Sequence, residues 1–337
     1  MWLSEVILQQ TTIRQGTDYY LRFLKRWPTV GQLAAATEGD VLREWQGLGY
    51  YTRARNLHAA AKAVVAAGRN YSASRKNYSA SRKNYSASRK NYSASSEYFP
   101  ASYAELRALP GVGDYTAAAV ASIAFGLPHA VVDGNVYRVL SRYFGLATPI
   151  DTPAGRREFA ALAQELLDEH HPGRHNQAMM DFGALQCTPH SPRCADCPLA
   201  DSCVALATGS VESLPVKARR VKVQEVSMDY TLVCSPEGLL LRQRPVKGIW
   251  AKLWEPPLTE ELPSTLVSRS AVELGLFRHQ LTHRTITCRA TALPLSSLTI
   301  PPSALRLQFV PWDDLDNHAL PRLIQNIIER CRNKISE

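Results

Sequence analysis

Four cysteines fall within seventeen residues, Cys187, Cys194, Cys197 and Cys203, spaced C-x6-C-x2-C-x5-C. No other feature restricts the fold so strongly, because four thiolates that share one inorganic centre force the chain to wrap around it. Pro189, Pro192 and Pro198 stiffen that wrap and keep it from becoming a helix. Uneven loop spacing suits an iron–sulfur cluster, whose corners take ligands from all sides. Zinc stays open as well, although four-cysteine zinc sites usually show two C-x2-C knuckles and this segment has one. Disulfides fit less well. No basic leader with an apolar run is present, nor an apolar stretch of about eighteen residues. The expected setting is therefore the cytoplasm, with no membrane partner, where structural disulfides are rare. The other cysteines, Cys234, Cys288 and Cys331, are scattered and read as small buried hydrophobes.

The length of 337 residues suggests two ordinary domains, and 45% apolar residues can fill their cores. A net charge of +9 favours a polyanionic partner. Residues 70–97 temper that inference, since they read as three copies of NYSASRK and one of NYSASSE. The three complete copies carry six positive charges, and 9 − 6 leaves +3 for the rest. A Ser- and Asn-rich repeat cannot bury enough surface to offset its ordering entropy, so the composition predicts a mobile loop over 70–97.

Residues 1–69 read as mainly helical. Leu3, Val6 and Ile7 form an apolar stripe, with Glu5 away from Leu3 and Ile7. GLGYY, Gly47 to Tyr51, interrupts the pattern, and a helix resumes at Thr52. Ala101 to Ala108 read as a short helix, followed by LPGVGDYTAAAV. Pro110, Gly111 and Gly113 predict a tight hairpin between two helices. Its backbone, Gly111 through Val112 to Gly113, can approach an anion such as a DNA phosphate. An ordinary packing hairpin is the plainer alternative. Asp133 precedes another helical run and has an N-cap as its plain role.

WLSEVILQQT, GLGYY-x-RARNLH, LPGVG-x-YTAAAV, VVDGNVYRV, NQAMMDFGA and the cysteine spacing occur in one order. Together they resemble the adenine DNA glycosylases of the MutY type, in the helix-hairpin-helix superfamily. The resemblance is strong over 1–205 and weaker to about 330. It implies that Cys187, Cys194, Cys197 and Cys203 hold one [4Fe–4S] cluster of structural role. It implies Glu5 as the general acid that protonates the leaving adenine and Asp133 as the carboxylate facing an oxocarbenium-like sugar. A buried Glu5 and a more solvated Asp133 would divide those tasks. Endonuclease III-like relatives carry a Schiff-base Lys where this chain has Tyr115. Tyr115 is expected to position Asp133, and the enzyme to lack lyase activity. The target base must leave the duplex. Gln9, Leu48 and Tyr50 are implied as the residues entering the stack, and Asn176 and Asp181 as lining the adenine side of the pocket.

From Ser227 the texture turns to strands, with two β-rich runs around Pro236-Glu237-Gly238 and a closing helix near ALPRLIQNIIERC. This resembles the family's nudix-like carboxyl-terminal domain. A Glu-dense nudix helix is lacking, so pyrophosphate hydrolysis is not expected. Leu281, Thr282 and His283 stand at the implied 8-oxoguanine recognition loop. The expected fold is thus a mainly α glycosylase domain with an iron–sulfur loop (1–205), a linker (206–226) and a nudix-like α+β domain (227–337). The expected partner is duplex DNA with A opposite 8-oxoguanine or G, bound by a monomer at the nucleoid. Two rivals stand beside this reading: a bifunctional endonuclease III-type enzyme, and a catalytically weak DNA-binding protein. The second arises because family members carry a Leu-Pro-Trp-Arg segment ahead of the stretch where Met1 stands. A helix starting so near Glu5 is expected to fray.

Overall fold

A computed structural model describes residues 1–75, 99–218, 223–263, 271–295 and 307–336. In chain order the helices are α1 (Trp2–Leu8), α2 (Ile13–Arg26), α3 (Val30–Ala35), α4 (Glu38–Glu44), α5 (Thr52–Arg75), α6 (Tyr103–Arg107), α7 (Asp114–Ala119), α8 (Gly134–Phe144), α9 (Pro153–Glu165), α10 (Pro172–Leu185), α11 (Val204–Ala207) and α12 (Arg322–Ser336). The strands are β1 (Gln224–Ser235), β2 (Gly238–Gln243), β3 (Trp254–Glu255), β4 (Val272–Gln280), β5 (Arg284–Pro294) and β6 (Gln308–Pro311). Among the described residues, no helix is long and apolar enough to cross a membrane.

The chain divides into two compact units. One comprises Met1–Gly16, Trp27–Ala34 and Ala59–Arg220; the other Thr17–Arg26, Ala35–His58 and Val221–Glu337. Chain order alone gave no hint that two early segments join the second unit. Ala35–His58 is bonded there by Lys252 Nζ to Glu38 at 2.8 Å, Arg43 Nη1 to Asn317 at 2.6 Å, and Arg55 Nη1 to the Ala251 carbonyl at 2.8 Å, and Thr17–Arg26 is bonded to Ala35–His58 by the Tyr19 hydroxyl on the Gln46 carbonyl at 2.8 Å and Arg26 Nη2 on Asp40 at 2.7 Å.

The first unit is helical. Its core joins Ala60 and Val64 of α5 to Leu106, Leu109, Val112, Ala117 and Val120 around the α6–α7 hairpin. A second cluster joins Val136 and Leu140 of α8 to Phe159 and Ala163 of α9. Alanines at 117–119 and 121 are buried, which lets neighbouring helices approach α7 closely. Immediately after α7 the chain widens into a π turn over Val120–Ala124. Ser122 Oγ donates to the Ala118 carbonyl there at 2.8 Å. Such turns break the regular helical ladder and recur at functional sites.

The second unit holds a mixed sheet in the order β3-β2-β1-β5-β4, with β6 beside β2. β1 and β5 run parallel in register from Gln224/Arg284 to Cys234/Pro294. Alternate residues send Tyr230, Leu232, Ile286, Cys288 and Ala290 into a core with Ile324, Ile327 and Cys331 of α12. The opposite set, Val233, Leu240, Leu293 and Leu307, forms a smaller core on the other face. Glu255 is fully buried, and its charge is matched by Arg242 at 2.7 Å, by Arg244, and by the Tyr230 hydroxyl at 2.5 Å. This is the pairing a buried carboxylate requires.

Of the loop expected over 70–97, residues 70–75 continue α5, and 76–97 lie outside the described residues. An established helix extends at little cost per residue, and Ala73 and Arg75 are good helix formers. The expected linker 206–226 starts inside α11, contains a short turn at Val211–Ser213 and ends after β1 has begun at Gln224.

Candidate active site and cysteine loop

Glu5 lies mid-way along α1, whose first turn is closed by the Glu5 N–H on the Met1 carbonyl at 3.0 Å. Val6 and Ile7 are buried beside it and anchor the helix. Gln9, just past the end of α1, donates from Nε2 to Thr116 Oγ1 of α7 at 3.2 Å. That bond ties the helix of Glu5 to the helix of Tyr115. Burial pushes the Glu5 carboxyl above its ordinary value of 4.5, and the charge of Asp133 adds to the rise. A hydrogen bond from Tyr115 and the terminal amine of Met1 oppose it. Burial and then Glu5 itself push the Tyr115 hydroxyl far up, so it stays a protonated donor. The Tyr115 hydroxyl donates to Met180 Sδ of α10 at 3.7 Å, and it feels the charges of both Glu5 and Asp133, that of Glu5 more strongly.

Asp133 is held by groups of its own helix. It caps α8: Oδ1 accepts from the Asn135 N–H at 2.9 Å and the Val136 N–H at 2.8 Å. Oδ2 accepts from Asn135 Nδ2 at 2.9 Å. The cap and the site are therefore the same carboxylate. Asn135 is held in turn by Arg138, whose Nη2 donates to Asn135 Oδ1 at 2.7 Å and to the Gly183 carbonyl at 2.6 Å. Arg138 Nε donates to the Cys187 carbonyl at 2.6 Å. A continuous chain of bonds runs from Asp133 to the first cysteine of the loop. Gly183 permits it, since a Cβ there would lie 2.7 Å from Asn135 Cβ and 2.9 Å from its carbonyl oxygen.

Asn176 is 2% exposed, and its amide is engaged inside the fold. Nδ2 donates to Ser122 Oγ and to the His129 carbonyl, both at 2.8 Å, and Oδ1 accepts the Val131 N–H at 3.0 Å. It pins the segment that leads into Asp133. Asp181 is exposed on α10 and accepts from Gln177 Nε2 at 2.9 Å.

The hairpin expected from Pro110 to Gly113 joins α6 to α7. Gly111 takes a φ of +74° and Gly113 caps α7. Both are exposed, while Val112 is buried at 4% and serves the core. At Gly111 and Gly113 it is backbone that is presented outward, as an anion contact at a helix start requires. Arg107 braces the turn, donating to the Val112 carbonyl at 3.1 Å and to Asp114 at 2.6 Å.

In the second unit the Gly47–Tyr51 turn presents Tyr50 at 45% exposure. Leu48, expected to enter the base stack, is 5% exposed and packs inward. Positive φ at Gly47 (+93°) and Gly49 (+78°) reverses the chain on either side of it, which turns Leu48 in and Tyr50 out. Leu281, Thr282 and His283 form the turn between β4 and β5, closed by the Leu281 N–H on the Arg284 carbonyl at 2.7 Å. Thr282 and His283 are exposed, Leu281 packs against the core, and the Thr282 and Tyr50 hydroxyls are in hydrogen-bond contact.

Cys187, Cys194, Cys197 and Cys203 are free, partly buried thiols that line one cavity of about 440 Å³, its open mouth included. Burial and then the fields of the other three push the Cys194 thiol up. Among the described residues, no group of three or more His, Cys, Asp or Glu is arranged to hold a single metal ion. Arg142, 3% exposed, organises the loop: Nη1 reaches Cys187 Sγ at 3.4 Å and the Thr188 carbonyl at 2.7 Å, and Nε reaches the Val211 carbonyl at 2.9 Å. Sequence reasoning missed Asn135, Arg138, Arg142 and Met180. The available signal was two arginines four residues apart on α8, Arg138 and Arg142.

Residues 3–165 match the family described as HhH-GPD superfamily base excision DNA repair protein, and 230–330 match the NUDIX domain family. The chain is 32% identical to the human adenine DNA glycosylase over 371 residues, covering 90% of this chain and 63% of that one. It therefore spans just under two thirds of the human relative's length. It is 29% identical to the mouse adenine DNA glycosylase, covering 97% of this chain and 70% of the relative. It is 26% identical to that of Buchnera aphidicola subsp. Schizaphis graminum, covering 98% and 90%. Among solved structures, a thermostable thymine-DNA glycosylase superposes with a TM-score of 0.50 at 24% identity, over 61% of this chain and 83% of that one, a likeness of fold. Residues 3–165 are thus a HhH-GPD superfamily base excision DNA repair domain and 230–330 a NUDIX domain, in a chain similar to adenine DNA glycosylases along nearly its whole length.

Proposed function

We propose that this chain excises adenine opposite 8-oxoguanine or G from duplex DNA, by hydrolysis of the N-glycosidic bond. The observation that carries the reading is the pairing of unlike carboxylates. Glu5 is held toward its protonated form by burial, while Asp133 accepts three hydrogen bonds at the start of α8. Glu5 then donates a proton to the departing base, and Asp133 faces the positive charge that grows on the sugar. The Tyr115 hydroxyl, bonded to Met180 Sδ, lies close enough to Glu5 to lower its pKa. A phenol cannot form a Schiff base, so the chain acts as a monofunctional glycosylase. Asn176 and Met180 shape the walls behind these groups, and Asp181 stands at the outer end of α10.

Residues 1–205 act as the glycosylase domain, 206–226 as linker and 227–337 as the recognition domain. The exposed backbone of Gly111 and Gly113 receives a phosphate. Gln9 and Tyr50 meet the opened duplex, and Leu281, Thr282 and His283 meet the oxidised purine. Leu48 contributes through the turn's backbone. The protein works as a monomer on DNA.

The four loop thiols fit one [4Fe–4S] cluster. They surround a shared cavity, and a buried guanidinium lies against Cys187 Sγ to balance thiolate charge. When bound, the cluster supplies a rigid centre for the loop. Single-turnover assays with duplexes carrying A opposite 8-oxoguanine, G or T test the reading. Free adenine from the first two, with little from the third, is expected. Equal release from all three, or none, contradicts it.

A further inference from the structure

We infer that Arg53 is a positioning residue that fastens the Gly47–Tyr50 turn, so that Tyr50 is presented to the base opposite the excised adenine. The inference rests on the proposed function for its use, and on the following geometry for its substance. Three of four consecutive residues take positive φ: Gly47 at +93°, Gly49 at +78° and Tyr50 at +47°. Glycine accepts that conformation freely, whereas a tyrosine is strained in it and persists there only when its surroundings over-determine it.

Arg53 supplies much of that determination. It lies in the first turn of α5, which fixes its backbone, and it is 9% exposed. Its own N–H closes the turn on the Tyr50 carbonyl at 2.8 Å. Its Nη2 donates to the Leu48 carbonyl at 3.3 Å and the Gly49 carbonyl at 3.2 Å. The guanidinium also lies over two rings of the same segment, 5.2 Å from the Trp45 centroid and 5.6 Å from that of Tyr50. Trp45 completes the clamp, with Nε1 donating to the Gly49 carbonyl at 2.9 Å. One nitrogen bonds both carbonyls while the flat guanidinium lies over two aromatic faces, and that stacking is what an ammonium cannot reproduce. The Tyr50 hydroxyl, at the far end of this lever, touches Thr282. The posture that Arg53 sets therefore decides whether Tyr50 and the 281–283 turn address one base together.

The test uses the full chain and compares Arg53→Lys, Arg53→Met, Tyr50→Ala and the Arg53→Lys/Tyr50→Ala double variant. Incorporated 3-fluorotyrosine reports on the 14 tyrosines, with the Tyr50 resonance assigned by its absence in Tyr50→Phe. Arg53→Lys should shift or broaden that resonance and raise Kd for a duplex with A opposite 8-oxoguanine by about tenfold. The loss in affinity should exceed the loss in single-turnover rate at saturation, and the double variant should be no weaker than Tyr50→Ala. A Tyr50 resonance that stays put in both Arg53 variants overturns the inference. So does a resonance that moves with no change in affinity, or full additivity in the double variant. Should the unaltered chain release no adenine, the proposed function fails, while the fluorine spectrum still decides whether Arg53 holds Tyr50.

Discussion

Replacing Asp133 with asparagine separates its two duties. As a cap, Oδ1 takes the N–H groups of Asn135 and Val136 at 2.9 and 2.8 Å, and an amide oxygen can accept both. Two things are lost: the negative charge at the start of α8, worth about 0.3–1 kcal/mol, and the bond from Asn135 Nδ2 to Oδ2, worth about 1–2 kcal/mol. Asn135 cannot turn its amide over to recover that bond, because its Oδ1 is held by Arg138 at 2.7 Å. The sum is roughly 1–3 kcal/mol, or about 2–12 °C in Tm for a unit of this size. Asp133→Ala also forfeits the cap and should fall about 1 kcal/mol further. Catalysis should respond on another scale. Without the carboxylate facing the sugar, single-turnover adenine release should drop at least about 100-fold, with the duplex still bound. Melting curves and single-turnover rates for wild type, Asp133→Asn and Asp133→Ala decide the matter. Release by Asp133→Asn within tenfold of wild type would refute the catalytic duty. Asp133→Asn melting as low as Asp133→Ala would refute the cap argument.

Further expectations follow from the same geometry. Glu5 must be protonated to act, and burial raises its pKa, so single-turnover rate should decline as pH rises through a value above 4.5; a flat profile would contradict this. The same shift means that wild type loses stability as pH rises through the raised pKa, whereas Glu5→Gln does not. Its Tm advantage should therefore grow with pH. Gly183→Ala drives a Cβ to 2.7 Å from Asn135; it should cost about 1–3 kcal/mol in Tm experiments and slow adenine release by displacing Asn135 from Asp133. Tyr115→Phe should shift the pH limb further upward, because the hydroxyl that lowers the Glu5 pKa is gone. Neither form should trap DNA with borohydride.

Much of the site could be read from the chain because it is local. The hairpin is fixed by Pro110, Gly111 and Gly113, the cap by Asp133 ahead of an apolar run, and the cysteine loop by its spacing. What could not be read depends on tertiary approach. The Tyr115 hydroxyl meets Met180, sixty-five residues on, a contact that carries no local signal. Leu48 and Tyr50 differ by two positions, yet the positive φ at residues 47 and 49 decides which is core and which is surface. Asn176, expected on the adenine side of the pocket, has its amide engaged by Ser122, His129 and Val131, far away in the chain. The joining of Ala35–His58 to the second unit rests on single long-range polar contacts, which carry no periodic signal.

The most direct measurement is the single-turnover release of adenine by Glu5→Gln from a duplex with A opposite 8-oxoguanine, beside the unaltered chain. A glutamine cannot deliver the proton, so the rate should fall by about 10²-fold or more while duplex affinity is kept. Release within tenfold of the unaltered chain would contradict the assignment of Glu5 as the acid, and with it the account of this site.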